Sequence, residues 1–398
     1  MSHDHERLEP VDAPLLTGPF KALAFLAALS LVMIPWRFFV GLGPSTGLTD
    51  GYPWGLWKII NVIILTGVGS GGYVTALLVY GLNREHYHPI ARLAIATSAV
   101  GYTSGVIALG VVDLGRPWNF WRLVNVFNWN LHSVLLEIGV CVSVYLLFLW
   151  MEMAPPILER WRKEGTGGLK RWARVATPYL ERFYPWIVAM AITLPTMHQS
   201  SLGSLFLLAG PRLHPLWQTK LLPFFFLLSA WFLGIAAVVL AAMLANLYWR
   251  RPLPLRLLQG LMRVNGVLVL LFYAVRYTDL AFRDQLGHVF ALDKFSLFFL
   301  LEMAILLPAA LVPLYAREPQ EAGRLFRMAL VVLTGGMLYR ANVCLFGFMP
   351  GQGWNYFPSI AEIVMSAGLC ALGVVAYLWM VKRLPIISNA PAAPAEGR

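Results

Sequence analysis

Charge is scarce in this sequence, and reactive cysteine is scarcer. Only 13% of its 398 residues are Asp, Glu, Lys or Arg, against 58% hydrophobic, a balance that soluble domains do not keep. Three cysteines, Cys141, Cys344 and Cys370, show no paired spacing, which excludes an iron–sulfur cluster or zinc site encoded by this chain. Histidine is nearly as sparse. Of eight, only His132 and His198 fall within or at the edge of apolar runs, too few for the facing axial pair that a membrane haem b normally uses, so no haem is expected. Walker and dinucleotide glycine patterns are missing as well. Gly67, Gly69, Gly71 and Gly72 sit mid-run instead, where small residues let helices approach closely. The first 19 residues are polar and lack the zones of a cleavable signal peptide.

What is present is membrane sequence. Apolar runs of about 20 residues, the length that crosses a hydrocarbon core, recur at about 20–42, 54–81, 90–113, 132–154, 183–204, 218–249, 257–282, 293–315, 323–347 and 358–381. Ten runs predict an all-α polytopic bundle of about ten transmembrane helices. Pro195, Pro211 and Pro215 interrupt the fifth and sixth. Most of the 31 Lys and Arg lie in the termini and in the loops at about 82–92, 155–182, 249–256 and 316–324. The five loops of the other side carry six: Arg116, Arg122, Arg212, Lys220, Arg283 and Lys294. By the positive-inside rule both termini are cytoplasmic. The net charge of +11 is then a topology signal, and no basic stripe suits nucleic acid.

This reading divides the chain into a cytoplasmic segment 1–19, a membrane domain 20–384 and a disordered Ala- and Pro-rich tail 385–398. Within the domain, the cytoplasmic loop 155–182 alternates bases with Trp161 and Trp172. That pattern fits an amphipathic helix on anionic headgroups; a dock for a partner is the other reading. The outer loops carry Tyr52-Pro-Trp-Gly-Leu-Trp57, Arg116-Pro-Trp-Asn-Phe-Trp121, Pro215-Leu-Trp217 and Trp354-Asn-Tyr-Phe-Pro358. They read either as an interfacial aromatic belt or as a docking surface with walls for a flat aromatic ligand.

Fourteen ionisable or strongly polar side chains fall inside or at the ends of these spans, nearly all towards the outer face: Lys58, Asn61, Asp113, Arg116, His132, Glu137, His198, Gln199, Arg276, Asp279, Glu302, Arg340, Asn342 and Glu362. Such groups are costly in hydrocarbon and mark function by default. Several have structural explanations. Arg276 and Asp279 are spaced to pair on one helix face, Arg340 calls for a carboxylate from Glu302 or Glu362, Asp113 and Arg116 fit a surface pair, and Lys58 can snorkel to the headgroups. Glu137 sits among Leu135, Leu136, Ile138 and Val140. A carboxyl there would have a raised pKa and suit proton relay, or would be a neutral packing group. Hydroxyls of Thr66, Ser70, Tyr73, Thr97, Ser98 and Tyr102 could lead water inward from it or tie helices together. His198 lies in Leu194-Pro-Thr-Met-His-Gln-Ser-Ser-Leu-Gly-Ser204, a polar run at membrane depth that calls for a broken helix or a lined cavity.

The stretches Tyr52-Pro-Trp-Gly, Leu194 to Ser204, His214-Pro-Leu-Trp217 and Asn355-Tyr-Phe-Pro358 resemble the NrfD/polysulfide reductase family of membrane subunits. The branch resembled most is the ten-helix "cytochrome b" subunit of periplasm-facing nickel–iron hydrogenases, which is thought to lack haem. The resemblance runs over essentially the whole chain. It implies a multi-pass protein of the bacterial inner membrane that exchanges electrons between a periplasmic ferredoxin-like iron–sulfur subunit and a quinone, menaquinone or ubiquinone, with the catalytic subunits of a hydrogenase or related complex as further partners. Glu137 then matches the family's intramembrane glutamate and His198 the histidine of its quinone-side motif. Trp54, Trp57, Lys58, Asn61, Asp113, Arg116, His132 and Gln199 are the expected quinone surroundings. The hydrogenase branch often has Asp where this chain has Asn61, and that departure also fits a sulfur-metabolism complex. A secondary transporter or proton channel is the alternative from another class. Its site belongs near the midplane between inverted repeats, whereas this cluster is off-centre and no repeat is visible.

Overall fold

The computed structural model describes residues 8–11, 13–108, 113–315 and 321–388, and the description below is confined to them. Of the tail expected to be disordered at 385–398, residues 385–388 are described and are held in place, Ile387–Ser388 pairing with Leu8–Glu9 and the Pro385 carbonyl accepting from Arg92; 389–398 and the segment 1–7 lie outside the described residues. Eleven helices carry the fold: α1 Gly18–Val40, α2 Leu56–Gly81, α3 Glu85–Ala108, α4 Val134–Glu152, α5 Ala154–Glu164, α6 Gly167–Leu207, α7 Leu222–Trp249, α8 Leu255–Phe282, α9 Lys294–Tyr315, α10 Ala322–Ala341 and α11 Ile360–Arg383. Nine membrane-crossing candidates result among the described residues, by length and composition, with α4 and α5 forming one continuous stretch. The span expected at 183–204 is the second half of α6 and is not among the nine. Its polar run, His198 to Ser204, lowers its apolar character. That run neither breaks nor unwinds. α6 is one helix of 41 residues with Pro178, Pro185 and Pro195 inside it. The hydroxyls of Thr196 and Ser201 donate to the carbonyls of Ile192 and Met197, four residues back, at 2.7 and 2.8 Å, which satisfies them without a partner helix.

The bundle has a buried centre and an outward-facing shell. α2 and α7 are predominantly apolar and mostly enclosed, as helices with little polar surface must be, while α1 and α4 turn most of their surface outwards. Glycine sets how closely the central pair crosses. A Cβ on Gly71 would stand 2.8 Å from the Gly234 carbonyl oxygen, and one on Gly234 would stand 2.5 Å from the Gly71 nitrogen. Beside them the Gly72 N–H donates to the Ser98 hydroxyl at 2.6 Å, tying α2 to α3. The mid-run glycines therefore do what small residues do in membrane helices.

The two ends are closed by different chemistry. At one end the chain termini meet. Leu8–Glu9 pairs antiparallel with Ile387–Ser388, Arg251 and Lys382 donate to the carbonyls of Pro10 and Pro14, and Arg92 holds Glu159 at 2.6 Å and the Pro385 carbonyl at 3.2 Å. Of the loop expected to be amphipathic, residues 154–164 form α5 and the rest opens α6; Trp161 and Trp172 meet edge to face, 5.6 Å between ring centroids. At the other end the aromatic loops interlock. The Trp54 indole donates to the Cys344 carbonyl at 2.7 Å, the Tyr356 hydroxyl to Glu362 at 2.9 Å, and the His214 N–H to the Gly347 carbonyl at 2.8 Å. Burial, with the neighbouring His288 imidazole adding to it, pushes the His214 imidazole down to about 4 against an opposing pull from Asp293.

Three anticipated partnerships are replaced by others. Arg276 pairs with Glu302 of α9 at 2.5 Å rather than with Asp279, which holds Arg283 and the Thr219 hydroxyl. Asp113 pairs with Lys58 at 3.0 Å rather than with Arg116, so Lys58 does not simply snorkel. Arg340, fully buried, has no carboxylate within ion-pair distance among the described residues. Glu302 is taken by Arg276. Glu362 is taken by the Gly47 N–H, the Ser359 N–H and the Tyr356 hydroxyl, as the capping box of α11.

Candidate functional site

A pocket of about 450 Å³ opens at the aromatic end, between the start of α2, the segment 113–129, the start of α4 and the end of α6. Its walls are mostly apolar. Trp54, Trp129, Leu202 and Phe206 supply broad faces, and Lys58, Asp113, Arg116 and Asn119 supply the polar groups. Large apolar walls with a few convergent polar groups are the usual form of a small-molecule site. The Lys58–Asp113 pair is only partly screened from outside, at 25% and 10% side-chain exposure. It can therefore present both an N–H donor and a carboxylate to a guest.

The elements that build the pocket follow from local sequence. Pro117 starts a short 3₁₀ turn through Leu123, and Val126–Asn128 makes another, which folds the aromatic segment back over the helix ends. The Trp129 indole fastens it by donating to the Leu123 carbonyl at 2.9 Å. Ser133 caps α4, accepting from the Leu136 N–H at 3.3 Å. A π-helical turn, Ile59–Ile64, follows Lys58 directly, and such turns are frequent at functional sites.

Behind the pocket wall lies a buried polar network. Arg340 donates to the Ser229 hydroxyl at 3.2 Å, the Gln199 side-chain oxygen at 2.8 Å, the Phe226 carbonyl at 2.9 Å and the Ile63 carbonyl. Ile63 itself lines the pocket. Gln199 in turn donates to the Tyr102 hydroxyl at 2.9 Å. His198 is 1% exposed, its ring 5.9 Å from that of Tyr102, and it lies beside the Ile138 backbone of α4 without a hydrogen bond of ordinary geometry among the described residues. It lies one helical turn from Leu202 of the pocket wall. A full positive charge thus sits one side chain behind the cavity with no neutralising carboxylate, which favours negative charge on a guest.

Of the residues singled out from sequence, Trp54, Lys58, Asp113 and Arg116 line the pocket, and His198 and Gln199 back it. The others point elsewhere. Trp57 packs with Ile34, Met365 and Leu369, and Asn61 faces Ser366 and Cys370, both towards α11. His132 is exposed in the turn before α4. Glu137 is exposed in the first turn of α4, outside the pocket lining. Its setting is therefore not the buried one expected. Tyr102 reads from sequence as a hydroxyl that could lead water inward or tie helices together, and Arg340 as half of an ion pair, yet both join the backing network. Their signal is residue type within an apolar span, a tyrosine in the middle of one and an arginine near the end of another, but not phase.

The model of the polysulphide reductase, NrfD family matches residues 44–349. The chain belongs to the NrfD family. It is 34% identical to the probable Ni/Fe-hydrogenase 2 b-type cytochrome subunit of Escherichia coli (strain K12), over 97% of this chain and 96% of that protein. It is also 28% identical to the menaquinone reductase, integral membrane subunit, of Nitratidesulfovibrio vulgaris over 60% and 56% of the two chains. Against a selenate reductase subunit of Mesobacillus selenatarsenatis the identity is 25% over 55% and 54%. Family and fold together make this NrfD-family chain a multi-pass integral membrane protein, and the bacterial inner membrane fits its bacterial relatives.

Proposed function

We propose that this chain is the quinone-reactive membrane subunit of a respiratory oxidoreductase, with the quinone head group in the pocket at the aromatic end. The single observation that carries the reading is the cavity of about 450 Å³ whose apolar walls converge on Lys58, Asp113 and Arg116, in a chain whose relatives are named as subunits of a hydrogenase and a menaquinone reductase. The bundle has ten spans, α6 being the tenth, and both termini are cytoplasmic, which puts the pocket near the periplasmic face. Electrons pass between the quinone and an iron–sulfur subunit docked there, itself joined to catalytic subunits. A hydrogenase is favoured among these by the near full-length match; a sulfur- or selenium-metabolism complex is the second reading, favoured by the selenate reductase relative.

The chain holds no haem in this reading. The relative's name, b-type cytochrome subunit, pulls the other way, but the residues do not fit a bis-histidine haem. His198 faces Tyr102, and His214 stacks on Phe295 at 4.2 Å. In the pocket, Lys58 donates to a quinone carbonyl oxygen while Asp113 holds it in place, and the Arg340 charge behind Ile63 stabilises the negative charge that electrons bring before protons arrive.

The test is Lys58→Met in the assembled complex. Quinone-linked turnover should fall about a hundredfold, the usual worth of a lost charged donor at a reacting oxygen, while dye reduction by the soluble subunits is retained. Full retention of quinone turnover and quinone affinity in Lys58→Met would sink the placement.

A further inference from the structure

Of fifteen buried side-chain polar atoms without a hydrogen-bond partner of ordinary geometry among the described residues, six belong to four residues on α2, α4 and α6. Both carboxyl oxygens of Glu152 and the hydroxyl of Tyr145 have none, whereas His198 lies beside the Ile138 backbone and Tyr73 beside Ser70 and Trp231, in contacts looser than an ordinary hydrogen bond; each of these four residues is at most 2% exposed. Groups orphaned at that depth are costly unless water reaches them. Glu152 is unlike the other buried carboxylates: Glu302 is held by Arg276 and Glu362 caps α11. Arg92, the basic group at that end of α3, is held by Glu159 and the Pro385 carbonyl.

Their order along the bundle follows helix geometry. Ile138, Cys141, Val142, Tyr145, Leu149 and Glu152 are buried on α4, at the spacing of three and four that makes one stripe. Ile138 lines the pocket, and Glu152 lies about 21 Å further along the helix at 1.5 Å per residue. Tyr102 of α3 joins the stripe from the side, its ring 4.7 Å from Tyr145 and 5.9 Å from His198. Tyr73 of α2 stands within electrostatic reach of Tyr102 and Tyr145. At the far end Glu152 is within the same reach of Tyr80, Tyr145 and Tyr184. Tyr80 is 46% exposed and opens the line to the surface.

We infer that Glu152 is a proton-relay residue at the terminus-bearing end, feeding the pocket through a water-bridged line of Tyr145, Tyr73, Tyr102 and His198. The inference rests on the quinone reading above. Reducing a quinone adds two electrons, from the iron–sulfur donor, and two protons, one to each carbonyl oxygen, so that two O–H bonds form. Each proton delivered at His198 is replaced by one that Glu152 takes up from the aqueous phase beyond Tyr80. Quinol oxidation runs the same line in reverse.

Glu152→Gln keeps shape and removes the exchangeable proton. In the assembled complex, quinone-linked turnover should fall about a hundredfold, the usual span of lost acid–base help, with quinone affinity unchanged. A redox-induced infrared difference band from a carboxyl should vanish in the same variant. Tyr145→Phe, which removes one hydroxyl, should slow turnover with affinity intact, and it serves if Glu152→Gln assembles poorly. Wild-type turnover in both variants, or a carboxyl band that persists in Glu152→Gln, overturns the relay. A wild-type complex that binds no quinone overturns the pocket reading and the relay with it. Quinone binding that is lost in Lys58→Met but turnover untouched in Glu152→Gln overturns the relay alone.

Discussion

Two arginines, both almost wholly buried, divide this bundle into halves that work differently. Arg276 on α8 meets Glu302 of α9 at 2.5 Å, and Glu302 also accepts from Asn342 at 2.8 Å and from the Trp217 indole at 3.4 Å. The Arg276 guanidinium lies over Phe299, Tyr339 and Phe272 within 5.4 Å. That half is electrically closed. Arg340 on α10 is met only by carbonyl, amide and hydroxyl oxygens and stands over Phe226 at 5.1 Å. Hydrogen bonds satisfy its donors without cancelling its charge. An ion pair at this depth can be explained by packing specificity alone, whereas an uncancelled cation beside a cavity has a reason to stay charged. The pocket lies on the second side.

The comparison is broken most forcefully by removing Glu302. Glu302→Ala strands Arg276 with no anion, and breaking a buried pair from one side costs about 3–5 kcal/mol. The expected outcome is a subunit that fails to accumulate in the membrane or to copurify with its complex, measured by yield and by thermal melting of the purified assembly. Glu302→Gln, which keeps the hydrogen bonds from Asn342 and Trp217, should fall between it and the wild type. Equal melting for all three would show that Arg276 needs no counter-charge and that the halves are alike.

Much of this arrangement is readable in the sequence, and the unread part has a common cause. Trp54, Lys58, Asp113 and Arg116 are identifiable because they flank span ends, where polarity stands out against an apolar run. Helix phase is not. On α4 the buried positions are Ile138, Cys141, Val142, Tyr145, Leu149 and Glu152, and Glu137 falls off that stripe. Leu, Ile and Val occupy both faces of the helix, so nothing in the pattern says which face looks inward. The same blindness hides the facing directions of Trp57 and Asn61. Pairing across helices is hidden for another reason: Arg276 meets Glu302 and not Asp279 because tertiary approach outweighs a neighbour three residues away. Glu152 looks in the sequence like the end of a span rather than a member of the buried line.

Arg340→Met sharpens the comparison from the other side. It removes the cation and leaves Gln199 without its donor, at about 1–3 kcal/mol for a buried group left unpaired. The complex should therefore melt lower than wild type but higher than with Glu302→Ala. Quinone turnover should nevertheless fall further than the melting shift accounts for, because the charge behind Ile63 is gone. Turnover that tracks stability in the same proportion for both variants would mean Arg340 is packing only.

The smallest effect expected is at Gly67. A Cβ there would stand 2.7 Å from an Arg340 guanidinium nitrogen and 2.8 Å from its central carbon, closer than atoms tolerate, so Gly67→Ala must displace the guanidinium rather than delete it. The obstructing atoms are the far end of a long side chain, and overpacking of this kind costs about 1–3 kcal/mol, towards the lower figure where the neighbour can yield. Displacement strains the bonds to the Ile63 carbonyl and to Gln199, and so reaches the pocket wall and Tyr102 together. The expected result is an assembled complex with near wild-type melting and a several-fold loss of quinone turnover. Gly335 supplies the control on the same helix as Arg340, since a Cβ there meets Leu306 at 2.6 Å and no charged group. If Gly335→Ala and Gly67→Ala lower turnover equally at equal stability, the position of the Arg340 charge does not matter to the reaction; if only Gly67→Ala does, the uncancelled cation is the feature that separates the working half of the bundle from the structural one.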